Sequence, residues 1–105
     1  MDKQIQSTIE KYIEKYGMDC NLLVLVEELA ELQKAILKHL RITQNTNAVV
    51  RIDKEKSVAD IKDELADVDY CLRYLELFLN ISTEERLENE IKKASRNSER
   101  FDNIN

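Results

Sequence analysis

The chain has 105 residues, of which 43% are apolar and 35% are charged, with one glycine and no proline. This length predicts a single domain, residues 1–105, and the apolar content argues against global disorder. One glycine excludes Gly-rich phosphate loops and the usual β-hairpins. The formal net charge of −5 disfavours nucleic acid or an anionic membrane surface as the main partner, because both attract basic proteins.

The cysteines and the first residues predict a cytoplasmic protein. Cys20 and Cys71 lie outside any C-x-x-C motif, which favours reduced, packed thiols. The first twelve residues are charged throughout and do not resemble a secretory signal. The longest strongly apolar run, Leu22 to Val26, is too short to cross a bilayer.

Apolar periodicity predicts a first helix from about Lys3 to Tyr16, which Gly17 would end. A second helix is predicted from about Asn21 to Arg41, with Asp19 or Asn21 as its N-cap. Its main apolar stripe consists of Leu22, Leu25, Leu29, Leu32, Ile36 and Leu40. The one histidine, His39, is expected on the surface of this helix.

A polar stretch from about Ile42 to Lys56 is predicted to form a loop, and its length is typical of functional or mobile loops. The third helix is predicted from Ser57, in a capping box with Asp60, to about Leu79. Ser82 and Glu85 form a clearer capping box for a fourth helix. These patterns predict an all-α, four-helix bundle-like protomer.

Most residues of two acidic clusters fall on helix faces where solvent-facing charge is not expected. Glu64 falls inside the apolar arc of the third helix, and Asp60 and Asp67 lie at the margin of that arc. Glu27, Glu28 and Glu31 share one face of the second helix. Carboxylates on a core-side face require a compensating cation, which could be Lys, Arg or a metal ion.

A basic row on the fourth helix is formed by Lys93, Asn97 and Arg100, at helical spacing along one flank of the apolar stripe. Such a row can hold phosphate oxygens through charge-assisted hydrogen bonds. The alternative is a solvated basic face near a helix C-terminus, where the helix dipole favours cations. The spacing alone favours this second interpretation.

At these residues the chain resembles the MazG-like superfamily of all-α nucleotide pyrophosphohydrolases. The superfamily signature, E-E-x-x-E followed by E-x-x-D, reads Glu27-Glu28-Leu29-Ala30-Glu31 and Glu64-Leu65-Ala66-Asp67 here. The tail resembles the K-x-x-x-N-x-x-R that often follows. The likeness extends from about Leu22 to Phe101.

The resemblance implies Mg²⁺-dependent hydrolysis of a nucleoside triphosphate to a monophosphate and pyrophosphate, with Mn²⁺ as a possible substitute. It implies Glu28, Glu31, Glu64 and Asp67 as metal ligands. Glu27 would be a catalytic auxiliary acid that orients water or helps to hold a second ion. Lys93, Asn97, Arg100 and Lys34 (or Lys38) would bind phosphate.

The resemblance also implies a homo-oligomer, either a dimer or a tetramer. Two alternatives remain at this point. One is a phosphoribosyl-ATP pyrophosphohydrolase, which uses the same metal chemistry on another substrate. The other is a non-enzymatic acidic helical module that interacts with a basic partner.

Overall fold

The structure is a computed structural model that describes residues 2–44 and 54–104. Over those residues the chain forms helices α1 (Lys3–Tyr16), α2 (Met18–Gln44), α3 (Lys54–Leu79) and α4 (Thr83–Ile104). The described residues contain no strand, so the all-α prediction is confirmed. The loop predicted over residues 42–56 is partly wrong, because α2 and α3 extend into both of its ends; residues 45–53 lie outside the described residues.

The chain divides by its internal contacts into two compact units, Met1–Leu75 and Glu76–Asn105. The first unit contains α1, α2 and most of α3, and the second contains the last residues of α3 together with α4. The single-domain organisation expected from the length stays a prediction.

The junction between α1 and α2 is a single residue. Gly17 has φ +86°, a conformation that side-chain-bearing residues rarely adopt, and it ends α1 as predicted. Helix α2 begins directly at Met18, so the prediction of Asp19 or Asn21 as its N-cap is wrong, because both residues lie inside the helix. Asn21 is instead buried, and its Nδ2 donates hydrogen bonds to the carbonyl oxygens of Tyr12 (3.1 Å) and Gly17 (2.7 Å). One amide side chain thus holds the end of α1 against the start of α2.

The core of the first unit is small and is built from α1, α2 and α3. Its buried members are Ile9, Leu25, Cys71 and Tyr74. Burial raises the pKa of the Tyr74 hydroxyl to about 12, with a further contribution from Tyr70. Cys71 is buried, so it is a packed thiol as predicted. Cys20 is exposed, so the prediction that it is packed is wrong.

The predicted apolar stripe of α2 enters this core only near the start of the helix. Leu25 is buried, but Leu29, Ile36 and Leu40 are each more than 40% exposed. The periodicity correctly indicates a helix with an apolar face. It does not indicate whether another part of the same chain covers that face.

Ser57 does not cap α3, since the helix begins three residues earlier at Lys54. The buried Ser57 hydroxyl donates to the Lys54 carbonyl oxygen at 2.8 Å and lies 2.7 Å from Nδ1 of His39. Because a hydroxyl has one proton to donate, Ser57 accepts the hydrogen bond from the Nδ1–H of His39. His39 is therefore a half-buried tie between α2 and α3, and the expectation of a surface histidine is wrong.

The turn between α3 and α4 lies entirely within the second unit. Asn80 has φ +55°, the amide of Ile81 donates to the Glu76 carbonyl (2.9 Å), and the amide of Asn80 donates to that of Leu77 (3.3 Å). This pair of bonds is a Schellman motif with asparagine at its left-handed position. It closes the end of α3 without a glycine.

The start of α4 and the end of α3 are joined by a partly buried ion pair. Ser82 accepts a hydrogen bond from the Glu85 amide at 3.1 Å, as the capping-box prediction requires. One turn further on, Arg86 Nη1 lies 2.7 Å from Glu76 Oε1, and Glu76 is only 6% exposed. These contacts join the last turn of α3 to the first turns of α4 within the second unit.

Candidate metal centre

Three carboxylates from two helices converge in the first unit. Glu28 of α2 and Glu64 and Asp67 of α3 each offer an oxygen atom within 4.8 Å of the others. The group is partly enclosed, because Glu28 and Glu64 are half-buried while Asp67 is exposed. Acidic groups are common on protein surfaces without an ion, so the surroundings of these oxygens decide what the group can do.

Core residues one helical turn away fix the positions of the carboxylates. Glu28 follows the buried Leu25 by three residues, and Asp67 precedes the buried Cys71 by four. Residues three or four apart lie on the same face of a helix. Leu25 and Cys71 belong to the same core cluster, so the acidic positions next to them on α2 and α3 are brought together.

The three carboxylates repel one another. The pKa of Glu28 is raised above its ordinary value by partial burial, then by the negative charges of Asp67 and Glu64, by hydrogen bonding to Glu64 and by the charge of Glu31. Burial, together with the charges of Glu28 and Asp67, also raises the pKa of the Cys71 thiol beneath the group. Without a cation, the arrangement therefore favours retention of a proton on Glu28.

Glu64 provides a second indication that the carboxylate group lacks a compensating positive charge. Its Oε2 atom is buried and has no hydrogen-bond partner in the structure, so any bond to Glu28 uses the other oxygen. A buried carboxylate oxygen without a partner is unfavourable unless a cation or a proton compensates it. No other buried side-chain nitrogen or oxygen among the described residues lacks a partner.

The donor set fits a hard divalent cation. All three groups are carboxylates, and octahedral Mg²⁺ with bonds of about 2.0–2.1 Å places its ligand oxygens roughly 3–4 Å apart. The 4.8 Å spread needs only small side-chain adjustments to reach that geometry. A site with three protein ligands also leaves coordination positions for water or phosphate oxygens.

The fourth predicted ligand, Glu31, lies beside this group but outside it. Its charge contributes to the raised pKa of Glu28, and it lines an adjoining groove of about 190 Å³ that Glu64 also lines. The groove is completed by Lys34, Ala35, Lys38, Asp60 and Asp63. Three of the four predicted ligands are thus brought together, and the fourth is a neighbour.

Glu27, the predicted auxiliary acid, is exposed and is not a member of the carboxylate group. It lies about 100° around α2 from Glu28, because adjacent residues in a helix diverge by that angle. Its catalytic role stays a prediction.

The predicted phosphate-binding residues fall in two places. Lys34 and Lys38 line the groove next to Glu31 and Glu64, where an anion held near the carboxylates would meet them. Lys93, Asn97 and Arg100 are exposed on α4, in the second unit. Their role in binding phosphate stays a prediction.

The structure adds Asp60 and Asp63 to the surroundings of the site. Asp60 was recognisable from the sequence as lying at the margin of the apolar arc of α3. Asp63 lies four residues before Asp67, a spacing that puts both on one helix face and could have identified it.

Comparison with protein-family models, with curated proteins and with solved structures finds no match to this chain. The likeness to MazG-like enzymes is therefore carried by the residues quoted above. Over residues 2–44 and 54–104, no helix has both the length and the apolar content needed to cross a membrane.

Proposed function

We propose that the protein is a Mg²⁺-dependent nucleoside triphosphate pyrophosphohydrolase that releases a monophosphate and pyrophosphate. The observation that supports this most strongly is the convergence of Glu28, Glu64 and Asp67, with one buried carboxylate oxygen that lacks a partner. The acidic motifs that resemble the MazG-like signature contribute these same three residues.

The chemistry follows from the donor set. Glu28, Glu64 and Asp67 would hold the cation, with Glu31 joining directly or through water. A divalent ion bound there supplies positive charge that neutralises phosphate oxygens and lowers the pKa of water. Glu31, which lines the groove, would orient a water molecule or accept its proton.

The lysines of the groove support a phosphorylated substrate. Lys34 and Lys38 lie on the same side of α2 as Glu31, within reach of an anion bridged to the carboxylates. Their cationic heads bind phosphate as point charges. By the same resemblance, Lys93, Asn97 and Arg100 of α4 are proposed to bind phosphate.

Self-association is part of the proposal, since the resemblance implies a dimer or tetramer. The exposed apolar side chains support it, with Leu23, Val26 and Leu37 of α2 each more than half exposed. Monomeric proteins rarely leave a contiguous apolar patch larger than a few hundred Å² in contact with water.

The decisive experiment is a pyrophosphate-release assay over ribo-, deoxy- and modified nucleoside triphosphates and phosphoribosyl-ATP, with Mg²⁺ or Mn²⁺. Wild-type protein is expected to release pyrophosphate, and Glu64→Gln and Asp67→Asn are expected to lower the rate by at least roughly 100-fold. Asp69→Asn, a change of the same kind at an exposed position on α3, is expected to retain activity.

Metal binding is measured separately, by calorimetric titration with Mn²⁺ and by thermal melts with and without Mg²⁺. Ligands that bind only the folded state raise its apparent stability, so wild type should be stabilised and Glu64→Gln should not. Near-wild-type turnover by Glu64→Gln would refute the ligand assignment. Absence of both turnover and metal binding in wild type would favour a non-enzymatic interaction module.

A further inference from the structure

Helix α2 carries a second apolar face, away from both the core and the carboxylates. Its residues recur with the alternating spacing of three and four that defines a heptad seam, and all of them are exposed. The seam consists of Leu23, Val26, Ala30, Gln33, Leu37 and Leu40. Leu23 is 64% exposed, Val26 61% and Leu37 53%, so α1 and α3 leave this face largely uncovered.

The seam is separate from the candidate metal centre. Leu37 follows Glu28 by nine residues, which places the two on opposite sides of α2 at about 100° per residue. A shallow groove of about 510 Å³ runs along the seam and is lined by Ala30, Gln33, Lys34, Leu37 and Arg41. A partner can therefore occupy this face without contacting the Glu28, Glu64 and Asp67 group.

The pattern of residues along the seam is self-complementary in the antiparallel sense. When two antiparallel helices pack as a coiled coil, each a position faces a d position of the other helix. Applied to two copies of α2, this rule pairs Leu23 with Leu40, Val26 with Leu37 and Ala30 with Gln33. The small Ala30 leaves room for the longer Gln33 next to the two-fold axis.

The charged residues beside the seam also favour antiparallel pairing of the two α2 helices. Glu27 and Lys34 both occupy the e position of the heptad, and both are exposed. Flanking e residues of two helices are neighbours when the helices run antiparallel, so Glu27 of each copy would meet Lys34 of the other. In a parallel pair, e residues face g residues instead, and the g positions Leu22, Leu29 and Ile36 offer no charge to match.

We infer that this face of α2 is a homodimer interface, in which two copies of the chain pair their α2 helices antiparallel about a two-fold axis between Ala30 and Gln33. Opposed apolar layers hold the two helices together, and the two symmetry-related Glu27–Lys34 contacts fix their direction. The interface is isologous, because each copy contributes the same residues. This interface rests on the self-association proposed above, and Lys34 also lines the groove proposed to bind phosphate. Its tests therefore measure association and not turnover.

Cysteine cross-linking tests the direction of pairing. In a Cys20→Ser background, which removes the exposed thiol, Val26→Cys and Leu37→Cys proteins are made separately, and the buried Cys71 is retained. Mixed and mildly oxidised, the two proteins should form a disulfide-linked heterodimer, because residues 26 and 37 occupy one layer. Either protein alone should stay uncross-linked, since its two thiols would lie about 16 Å apart along the helix at 1.5 Å per residue.

Cross-linking of Val26→Cys with itself as readily as with Leu37→Cys would indicate parallel helices and overturn the inference. Absence of any cross-link would overturn it as well. The Cys20→Ser parent should sediment with about twice the 12.3 kDa mass of the chain or more. A monomer at micromolar concentration would refute the interface.

A charge reversal tests the flank contact. Glu27→Lys and Lys34→Glu should each weaken association roughly fivefold or more by placing like charges together, and the double variant should restore it. The measurement is sedimentation equilibrium, which does not depend on activity. If the loss of association in the double variant equalled the sum of the losses in the two single variants, the two residues would not be in contact.

Discussion

At the scale of single residues, the Glu28 carboxyl group is where α2 and α3 repel each other when no cation is bound. Partial burial and the charges of Asp67 and Glu64 raise its pKa, so the folded chain holds this proton more tightly than the unfolded chain does. The contribution of Glu28 to stability is therefore full below the ordinary pKa of a glutamate. It is lost as pH rises through the raised value.

Replacing this residue should flatten that pH dependence. In the presence of a chelator, Glu28→Gln is expected to lose less stability than wild type as pH rises from below the ordinary pKa of glutamate to neutrality. The measurement is the free energy of unfolding in urea at several pH values. Glu14→Gln, at an exposed position on α1, is the control and should follow wild type.

Added Mg²⁺ should stabilise wild type more than Glu28→Gln. Wild type should gain stability at neutral pH because the cation offsets the repulsion, whereas Glu28→Gln should gain little. Identical pH profiles for wild type and Glu28→Gln would show that the carboxylates do not interact. A Mg²⁺ effect of equal size in both proteins would place the ion elsewhere.

At the scale of helices, the turn after α3 depends on one unusual backbone conformation. Asn80 adopts φ +55° between two hydrogen bonds that close the end of α3. Asn80→Gly should be neutral or slightly stabilising, because glycine adopts this conformation without a steric cost. Asn80→Val should cost about 1–2 kcal/mol, since a β-branched side chain clashes with the backbone there.

Urea unfolding of the three proteins, wild type and the two Asn80 variants, measures these differences. Val58→Thr, a conservative change at an exposed helical position of α3, is the control and should change stability by less than about 0.5 kcal/mol. Equal stability of the valine and glycine variants would mean that residue 80 is not held in the left-handed conformation in solution.

The helices themselves were largely predictable, and the reasons for the exceptions are local. The bounds of α1 follow from its stripe and from Gly17, and the structure reproduces them. The starts of α2 and α3 were placed three residues late, because Asn21 and Ser57 are typical capping residues. Both side chains instead form hydrogen bonds to the preceding turn or to a neighbouring helix. Tertiary packing determines these bonds, so local capping propensity does not predict them.

The candidate site was predictable to the extent that helical spacing determines it. Glu64 and Asp67 share a face of α3 by sequence alone, and the structure brings Glu28 to them. Spacing could not distinguish Glu28 from Glu27 or Glu31 as the nearest partner, because the rotation of α2 about its axis is set by Leu25 in the core. Nor could it show that Glu64 would leave a buried oxygen without a partner.

At the scale of the whole molecule, helix α2 of the first unit presents two different faces. The side of α2 that carries Glu28 turns toward α3 and the carboxylates, and the side that carries Val26 and Leu37 remains exposed. A small core of four buried side chains leaves room for this division. Apolar surface that a small domain cannot bury internally is commonly buried by association.

Association through α2 should make thermal stability depend on protein concentration. For a dimer whose chains unfold on separating, each tenfold increase in concentration stabilises the folded state by about 1.4 kcal/mol, so the melting temperature should rise by a few degrees. Leu37→Glu places a charge in an apolar layer. It should abolish this dependence and lower the melting temperature, because the separated chains lose the stabilisation that pairing supplies.

Ile104→Glu is the matched control, because it makes the same kind of change at a side chain that is 83% exposed near the end of α4. It should keep both the concentration dependence and the sedimentation mass of wild type. If the melting temperature of wild type were constant over a hundredfold range of concentration, the seam on α2 would not be an assembly surface. If Leu37→Glu kept the wild-type dependence, the surface that assembles would lie elsewhere on the chain.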